Sequence, residues 1–324
     1  MLDLYKPCSD YIKPNLLWVC MKETARFYFE KNLHLLQRML AKYLTEPGDI
    51  ITPVEGLKLH RFNHTDMAKP HFYNPLLIIA VQGKKWVRIG TQDYAFGEHN
   101  CFISGVNMPV SSCLLEATEN EPYLSMSLEL DSRLIATLAQ SVPAPVNQST
   151  ATATAVGAMV QPISPDLLEA FLRMMELIDK PEDAKILGPL IYQEIHFRLM
   201  ATPFGNQLRL FNTAGSKSNL IRQSINWLVV HYKESLSMED LAAKINMAPS
   251  TFHKHFKEVT ALSPLQYQKH LRLSEAQRLM LANNYTASQA AFEVGYESTN
   301  QFSREYKRLF GESPKKNITG MTTG

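Results

Sequence analysis

The side chains best suited to chemistry lie in the last third of the chain, on two short stretches of helical period. In Pro249–Lys257, Phe252 and Phe256 stand four apart on one helix face, which leaves Ser250, Thr251, His253, Lys254 and Lys257 on the other. In a later stretch Phe302, Tyr306 and Phe310 form the inward stripe, and Thr299, Asn300, Ser303, Arg304, Lys307 and Arg308 remain outside. Short hydroxyl and amide groups interleaved with Arg and Lys are what base edges and phosphates require. A plain helical bundle with a solvated face shows the same pattern, so the elements that carry these stretches must decide.

Those elements are clearly punctuated. Ser237 with Asp240 opens one helix, and Pro249 sits at the first position of the next. Ser263–Pro264–Leu265–Gln266 is a capping box that opens a long helix to about Leu281; Thr286 with Gln289, and Ser298 with Gln301, open two more. The caps cut the region into short helix, tight turn, second helix, twice: Met238–Asn246 with Pro249–Thr260, then Ala287–Val294 with Thr299–Phe310, Gly295 lying in the second turn. That is helix-turn-helix geometry. The connecting helix spans roughly 27 Å at 1.5 Å per residue, against about 34 Å between major-groove faces. One rod therefore holds two readers on one side of a duplex.

The segment Ala290–Ala291–Phe292–Glu293–Val294–Gly295–Tyr296–Glu297–Ser298, followed by Gln301–Phe302–Ser303–Arg304–Glu305–Tyr306–Lys307 and Phe310–Gly311–Glu312–Ser313–Pro314, resembles the signature of the AraC/XylS transcription regulators. Leu262–Ser263–Pro264–Leu265–Gln266–Tyr267 and Arg272–Leu273–Ser274–Glu275–Ala276 match the same family's linking helix. The resemblance implies a monomer-competent DNA reader, with Ser250, His253 and Lys254 contacting DNA from the first motif and Thr299, Asn300, Ser303 and Arg304 from the second. It implies double-stranded DNA and RNA polymerase as partners. The family commonly places Ser before the first reader helix, where this chain has Ala248. That missing cap costs about 1 kcal/mol, so the first reader helix is expected to be less stable than the second.

Charge agrees with this division. Residues 216–324 hold 14 Lys and Arg against 9 Asp and Glu, while residues 1–215 hold 19 against 22. A basic C-terminal third on a mildly acidic remainder suits a polyanion partner for the former. Across 324 residues, 45% hydrophobic and 20% charged composition is that of a folded chain of about two domains, and excludes extensive disorder. The longest strongly apolar run, Leu76–Val81, is far short of the roughly 18–20 residues of a membrane helix. The N-terminus lacks the apolar core of a secretory signal, and Cys8, Cys20, Cys101 and Cys113 contain no CxxC pair, so a reduced cytoplasmic location is expected.

The first two thirds read differently. Residues 21–44 are helical, with Phe27, Leu33, Leu36, Met39, Leu40 and Tyr43 on one face. Short apolar runs then recur between turn residues: Leu57–Phe62, Leu76–Gln82, Trp86–Gly90, Asp93–Phe96, Cys101–Ser104, Ser111–Ala117 and Tyr123–Leu130. This is the texture of an antiparallel sandwich or barrel. Residues 142–155 read as a loop, Val156–Ile163 as a strand, and two helices follow to about Met200, with Asn212–Asn219 as interdomain linker. Leu167, Leu168, Phe171, Ile186, Leu190 and Ile195 on those helices serve either a homodimer interface or packing on the barrel.

Pro75–Lys85, Asn107–Val110, Pro122–Leu124 and Leu208–Arg209 resemble the cupin-like N-terminal domain of one AraC subgroup. The match covers about residues 31–210 and implies a jelly-roll barrel that senses an effector. The fold expected is therefore multidomain α+β: an extension at 1–30, a sensor at 31–211, a linker at 212–219 and a double helix-turn-helix domain at 220–324. Residues 1–20 fall outside the resemblance, and Met21 is an alternative start. Trp86, Tyr94 and Phe96, with Cys101 and Cys113, are the candidate effector-pocket residues; aromatic side chains at strand spacing serve equally as core. Cys101 and Cys113 are placed on neighbouring strands, where they would come close and could carry redox or electrophile sensing. His60, His64, His71, His99 and Glu98 include no HxH followed by Glu, so neither metal nor cofactor is assigned. The resulting function is a non-enzymatic, DNA-binding regulator with an unidentified small-molecule effector; a cupin-type metal-dependent enzyme with a helical accessory domain is the alternative.

Overall fold

The computed structural model describes residues 23–66, 68–141, 156–235 and 237–322. Cys8, Cys20 and the expected loop at 142–155 lie outside the described residues. Helix α1 (Glu23–Tyr43) leads into β1 (Gly48–Ile51), β2 (Leu57–Phe62), β3 (Lys69–Tyr73), β4 (Leu76–Gln82), β5 (Lys84–Ile89), β6 (Gln92–Phe96), β7 (Asn100–Ser104), β8 (Met108–Glu116) and β9 (Tyr123–Glu129). Helix α2 (Ser132–Ser141) and strand β10 (Ala158–Pro162) follow. The strands form two antiparallel sheets, β1-β2-β9-β4-β7-β10 and β3-β8-β5-β6. The result is a sandwich.

Strand alternation assigns the two faces of the larger sheet. On β2, β4 and β9 one set of residues, including Leu57, Leu59, Leu77, Ile79, Met126 and Leu128, packs into a core under the helices. That core is closed by α1, α3 (Pro165–Glu176), α4 (Pro181–Met200) and the N-terminal part of α5 (Gly205–Asn212). The alternate residues, Lys58, His60, Phe62, Ile78, Tyr123, Ser125 and Ser127, turn toward the second sheet. Leu167, Leu168, Phe171 and Ile195 are spent on the helical core, whereas Ile186 and Leu190 stay 70% and 60% exposed.

Several boundaries differ from the sequence reading. The buried stripe of α1 is Phe29, Leu33, Leu36 and Leu40, while Phe27 is 67% exposed, and the helix runs unbroken through residues 30 and 31. The expected boundary between extension and sensor thus falls inside a packed helix. The expected linker is shorter: α5 ends at Asn212 and α6 (Lys217–His231) begins after a turn. The turn is tied down, because Asn219 Nδ2 and Arg222 Nε each donate 2.8 Å to the Phe211 carbonyl. Cys101 on β7 and Cys113 on β8 belong to different sheets, so they are not strand neighbours.

The C-terminal region is helical: α7 (Met238–Lys244), α8 (Pro249–Thr260), α9 (Pro264–Ala282), α10 (Ala287–Glu293), α11 (Thr299–Phe310) and α12 (Pro314–Thr322). Ser237, Ser263, Thr286 and Ser298 each accept a backbone N–H at the N-cap, and Ser263 with Gln266 and Thr286 with Gln289 complete capping boxes. Among the described residues no helix is long and apolar enough to cross a membrane.

Candidate functional site

The two reader helices are built alike. Phe252 and Phe256 are fully buried on α8, and Phe302 and Tyr306 on α11. This fixes the opposite faces outward. Ser250, His253, Lys254 and Lys257 are exposed on α8, and Asn300, Ser303, Arg304, Lys307 and Arg308 on α11; Thr299 at its first turn is half-buried. Ala248 at the N-cap of α8 makes no side-chain hydrogen bond, so one N-terminal amide of that helix lacks the partner Ser298 gives α11.

Two residues that sequence patterning did not single out lock the second reader to the rod. Glu305 accepts from Lys269 Nζ at 2.6 Å and from the Tyr296 hydroxyl at 2.8 Å. The Arg272 guanidinium on α9 donates to the carbonyls of Tyr232, Lys233, Glu234 and Gly295. Burial pulls on the charge of this guanidinium, but four carbonyls receive its protons. Charged residues on a helix read as solvated from sequence; only tertiary structure shows them turned inward.

The readers are not equivalent in the whole molecule. α9 divides its buried residues between two cores. Tyr267 and Leu271 join α6, α7, α8 and the sandwich interior in one cluster, while Leu273, Ala276, Leu279 and Met280 join α10 and α11 in another. The first reader is thus continuous with the sensor. The Gly157 N–H donates 3.2 Å to Val259 O at the end of α8, and the rings of Phe72 and Tyr267 meet edge-on at 5.6 Å. Strand β3 also approaches α11.

Between the sheets lies a cavity of about 490 Å³. β9 contributes Tyr123, Ser125 and Ser127; β3 contributes Lys69, His71, Phe72 and Tyr73; β5 contributes Lys85; β8 contributes Ser112, Cys113 and Leu114. At its margin Asp49 pairs with His60 at 2.7 Å, Lys58 with Glu129 at 2.7 Å, and Lys69 with Asp66 at 2.9 Å. Burial, reinforced by the Lys85 charge, pushes the His71 imidazole down to about 4, so it is neutral near pH 7.

Of the five candidate pocket residues only Cys113 borders this cavity. Trp86 is buried under the Arg88 guanidinium at 4.8 Å, and Tyr94 and Phe96 pack on Phe102 at 5.8 and 5.5 Å. Cys101 belongs to the core under the helices, where burial pushes its thiol up to about 12. Tyr73, Lys85 and Tyr123 line the cavity instead. The signal available for them was polar alternation: Tyr123, Ser125 and Ser127 occupy every second position of an otherwise apolar strand.

Comparison with known proteins agrees with this arrangement. Residues 53–207 match the family of AraC-type transcriptional regulator N-termini, and residues 241–317 match a helix-turn-helix domain family. The transcriptional activator RhaS of Salmonella schwarzengrund is 24% identical over 153 residues, 47% of this chain and 55% of that protein. RhaS of Escherichia fergusonii is 34% identical over 92 residues, 28% of this chain and 33% of that one. The chain spans about half the length of the first of these curated relatives and a third of the second. Among solved structures, ToxT from Vibrio cholerae superposes with a TM-score of 0.54 at 11% identity over 81% of this chain and 97% of that one, and so shares the fold. A matching AraC-type N-terminal domain and a matching helix-turn-helix domain that contains the capped two-reader rod give this chain the domain make-up of an AraC/XylS-type transcriptional regulator.

Proposed function

We propose that this protein is a sequence-specific regulator whose sandwich cavity binds a small-molecule effector and thereby alters how the two readers meet double-stranded DNA. Ser250, His253, Lys254 and Lys257 on α8, with Thr299, Asn300, Ser303, Arg304, Lys307 and Arg308 on α11, are the DNA-facing groups in this reading. The observation that carries it is the double role of β3, which borders the cavity and also touches α9 and α11. An effector shifts the equilibrium only by its differential affinity for DNA-competent and incompetent arrangements. A ligand that moves β3 acts on the rod directly, which gives such a differential a physical route.

RNA polymerase is a further partner in this reading, and the cytoplasm its place of action. A second copy of the chain is assigned to α4, where Ile186, Leu190 and Phe197 are 70%, 60% and 47% exposed along one side. Sedimentation of Leu190→Lys beside the parent chain tests this: a shift to monomer supports it, and an unchanged mass removes it. The function itself is tested by selecting bound sites from random DNA, then footprinting at fixed salt. Two protected boxes about one helical turn apart are expected. Binding without sequence preference overturns the specific-regulator reading.

A further inference from the structure

Around the cavity the charges are nearly all matched, with one exception. Asp49, Lys58, His60, Asp66, Lys69 and Glu129 stand in the pairs given above. The Lys85 ammonium forms no ion pair among the described residues. Burial works against its charge, while the oxygens of Tyr73, Tyr123 and Asp49 favour it, and it stays protonated. Asp49 is already bonded to His60. His71, neutral near pH 7, is bonded through Nδ1 to the Lys69 carbonyl and through Nε2 to Ser112.

Beside the ammonium stand two buried hydroxyls, on Tyr73, whose oxygen lies within reach of the ammonium's donors, and on Tyr123; neither O–H has an acceptor among the described residues. Lys85 Nζ sits 5.6 Å from the centre of the Tyr73 ring, and Ser125 stands near the Tyr123 hydroxyl without completing a bond. A half-buried cation lacking an ion-pair partner and buried O–H groups lacking acceptors are both costly. One group satisfies all three donors at once: an anion with two or more oxygens. A neutral polyol would satisfy the hydroxyls and leave the charge. Phe62, Phe72, Leu76 and Leu114 supply apolar wall for a carbon body, and about 490 Å³ suits a small ligand.

We propose that the cavity takes a small organic acid as its anion, with the carboxylate held by Lys85, Tyr73 and Tyr123. The inference rests on the effector reading above and names the ligand class of that site.

The test is calorimetry of the full chain against straight-chain and aromatic carboxylic acids of about two to ten carbons, each beside its own primary amide, with monosaccharides as a neutral series. At least one acid is expected to bind about tenfold or more tightly than its amide, and Lys85→Met to remove about tenfold of that affinity. Tyr123→Phe, which keeps the ring, should weaken the same acid severalfold and serves if Lys85→Met does not fold. Acids that bind no better than their amides, or an acid unaffected by Lys85→Met, overturn the proposal. If amides or sugars bind independently of Lys85, the anion inference falls and the effector reading stands. If no member of any series binds, both fall.

Discussion

The hydroxyl of Tyr267, on the helix that links the two readers, donates a 2.9 Å hydrogen bond to the carbonyl of Asn107 in the loop before β8 of the sensor. The same ring packs edge-on against Phe72 of β3 and Phe256 of α8. One side chain of the rod thus touches both the sensor and the first reader. Tyr267→Phe keeps the ring contacts and deletes the bond. It should cost about 1 kcal/mol in chemical denaturation. An unchanged midpoint would assign this contact no weight in joining the domains.

Gly90 tests the same interface from the sensor side. Its φ is +58°, and a Cβ there would fall 2.6 Å from the Cβ and the carbonyl oxygen of Ala261, just past the end of α8. Gly90→Ala should therefore cost about 1–2 kcal/mol in backbone strain alone and push the first reader off the sandwich. Amide hydrogen exchange in α8 is expected to accelerate while that in α11, whose core is separate, does not. Equal acceleration in both helices would show that the two readers are mechanically one unit.

Among the residues proposed to face DNA, Arg304 and Lys307 are expected to make two kinds of contact. Arg304→Ala should lower affinity for the selected site by about 1–3 kcal/mol and relax preference at one base position. Lys307→Ala should weaken all sequences alike and reduce the salt dependence. The two are distinguished by titrating selected and scrambled duplexes at several salt concentrations; a uniform loss for Arg304→Ala would move that residue to the phosphate backbone.

Ala248 is a position where the chain can be improved. Its backbone has N-cap geometry, with φ −63° and ψ 140°, but no side-chain oxygen. Ala248→Ser should raise stability by about 1 kcal/mol, and Ser298→Ala should lower it by a similar amount. Thermal unfolding of the two variants beside the parent chain measures both. An Ala248→Ser variant no more stable than the parent would mean that the α8 terminus is already satisfied.

Acid should weaken the fold through two partly buried imidazoles. Burial first, then Lys85 and Arg308 respectively, hold His71 and His270 down to about 4. An unfolded His protonates near 6.5. Between about 6.5 and 4 the unfolded chain binds more protons, so stability is complete above that window and falls as pH drops through it. Urea midpoints at pH 7 and pH 5 should differ, and by less in His71→Gln with His270→Gln. An unchanged difference in that double variant places the acid sensitivity in other groups.

The helical third was legible because its signals are local. Ser263 with Gln266, Thr286 with Gln289 and Phe302 with Tyr306 each act within one turn, and the structure has them where the spacing puts them. The cavity was less legible because its members are distant in sequence. Lys85 stands opposite Leu114 on β8, and only the facing of the two sheets and the reach of its side chain across the cavity bring it to Tyr73 and Tyr123. β3 was missed because Lys69 and Pro70 open it; proline is tolerated there since this strand pairs on one side only. The aromatic residues that strand spacing offers for the pocket, Trp86, Tyr94 and Phe96, are spent on packing.

β3 has five residues, and they alternate. His71 and Tyr73 stand together on one side, with rings 4.9 Å apart, and Phe72 between them turns to Tyr267. In the effector reading proposed above, His71 and Tyr73 therefore serve the cavity, while Phe72 borders it and also carries the contact to the rod. A library that varies residues 71 and 73 while holding 72 would retune which molecule is detected and leave the drive train to the DNA-reading rod in place.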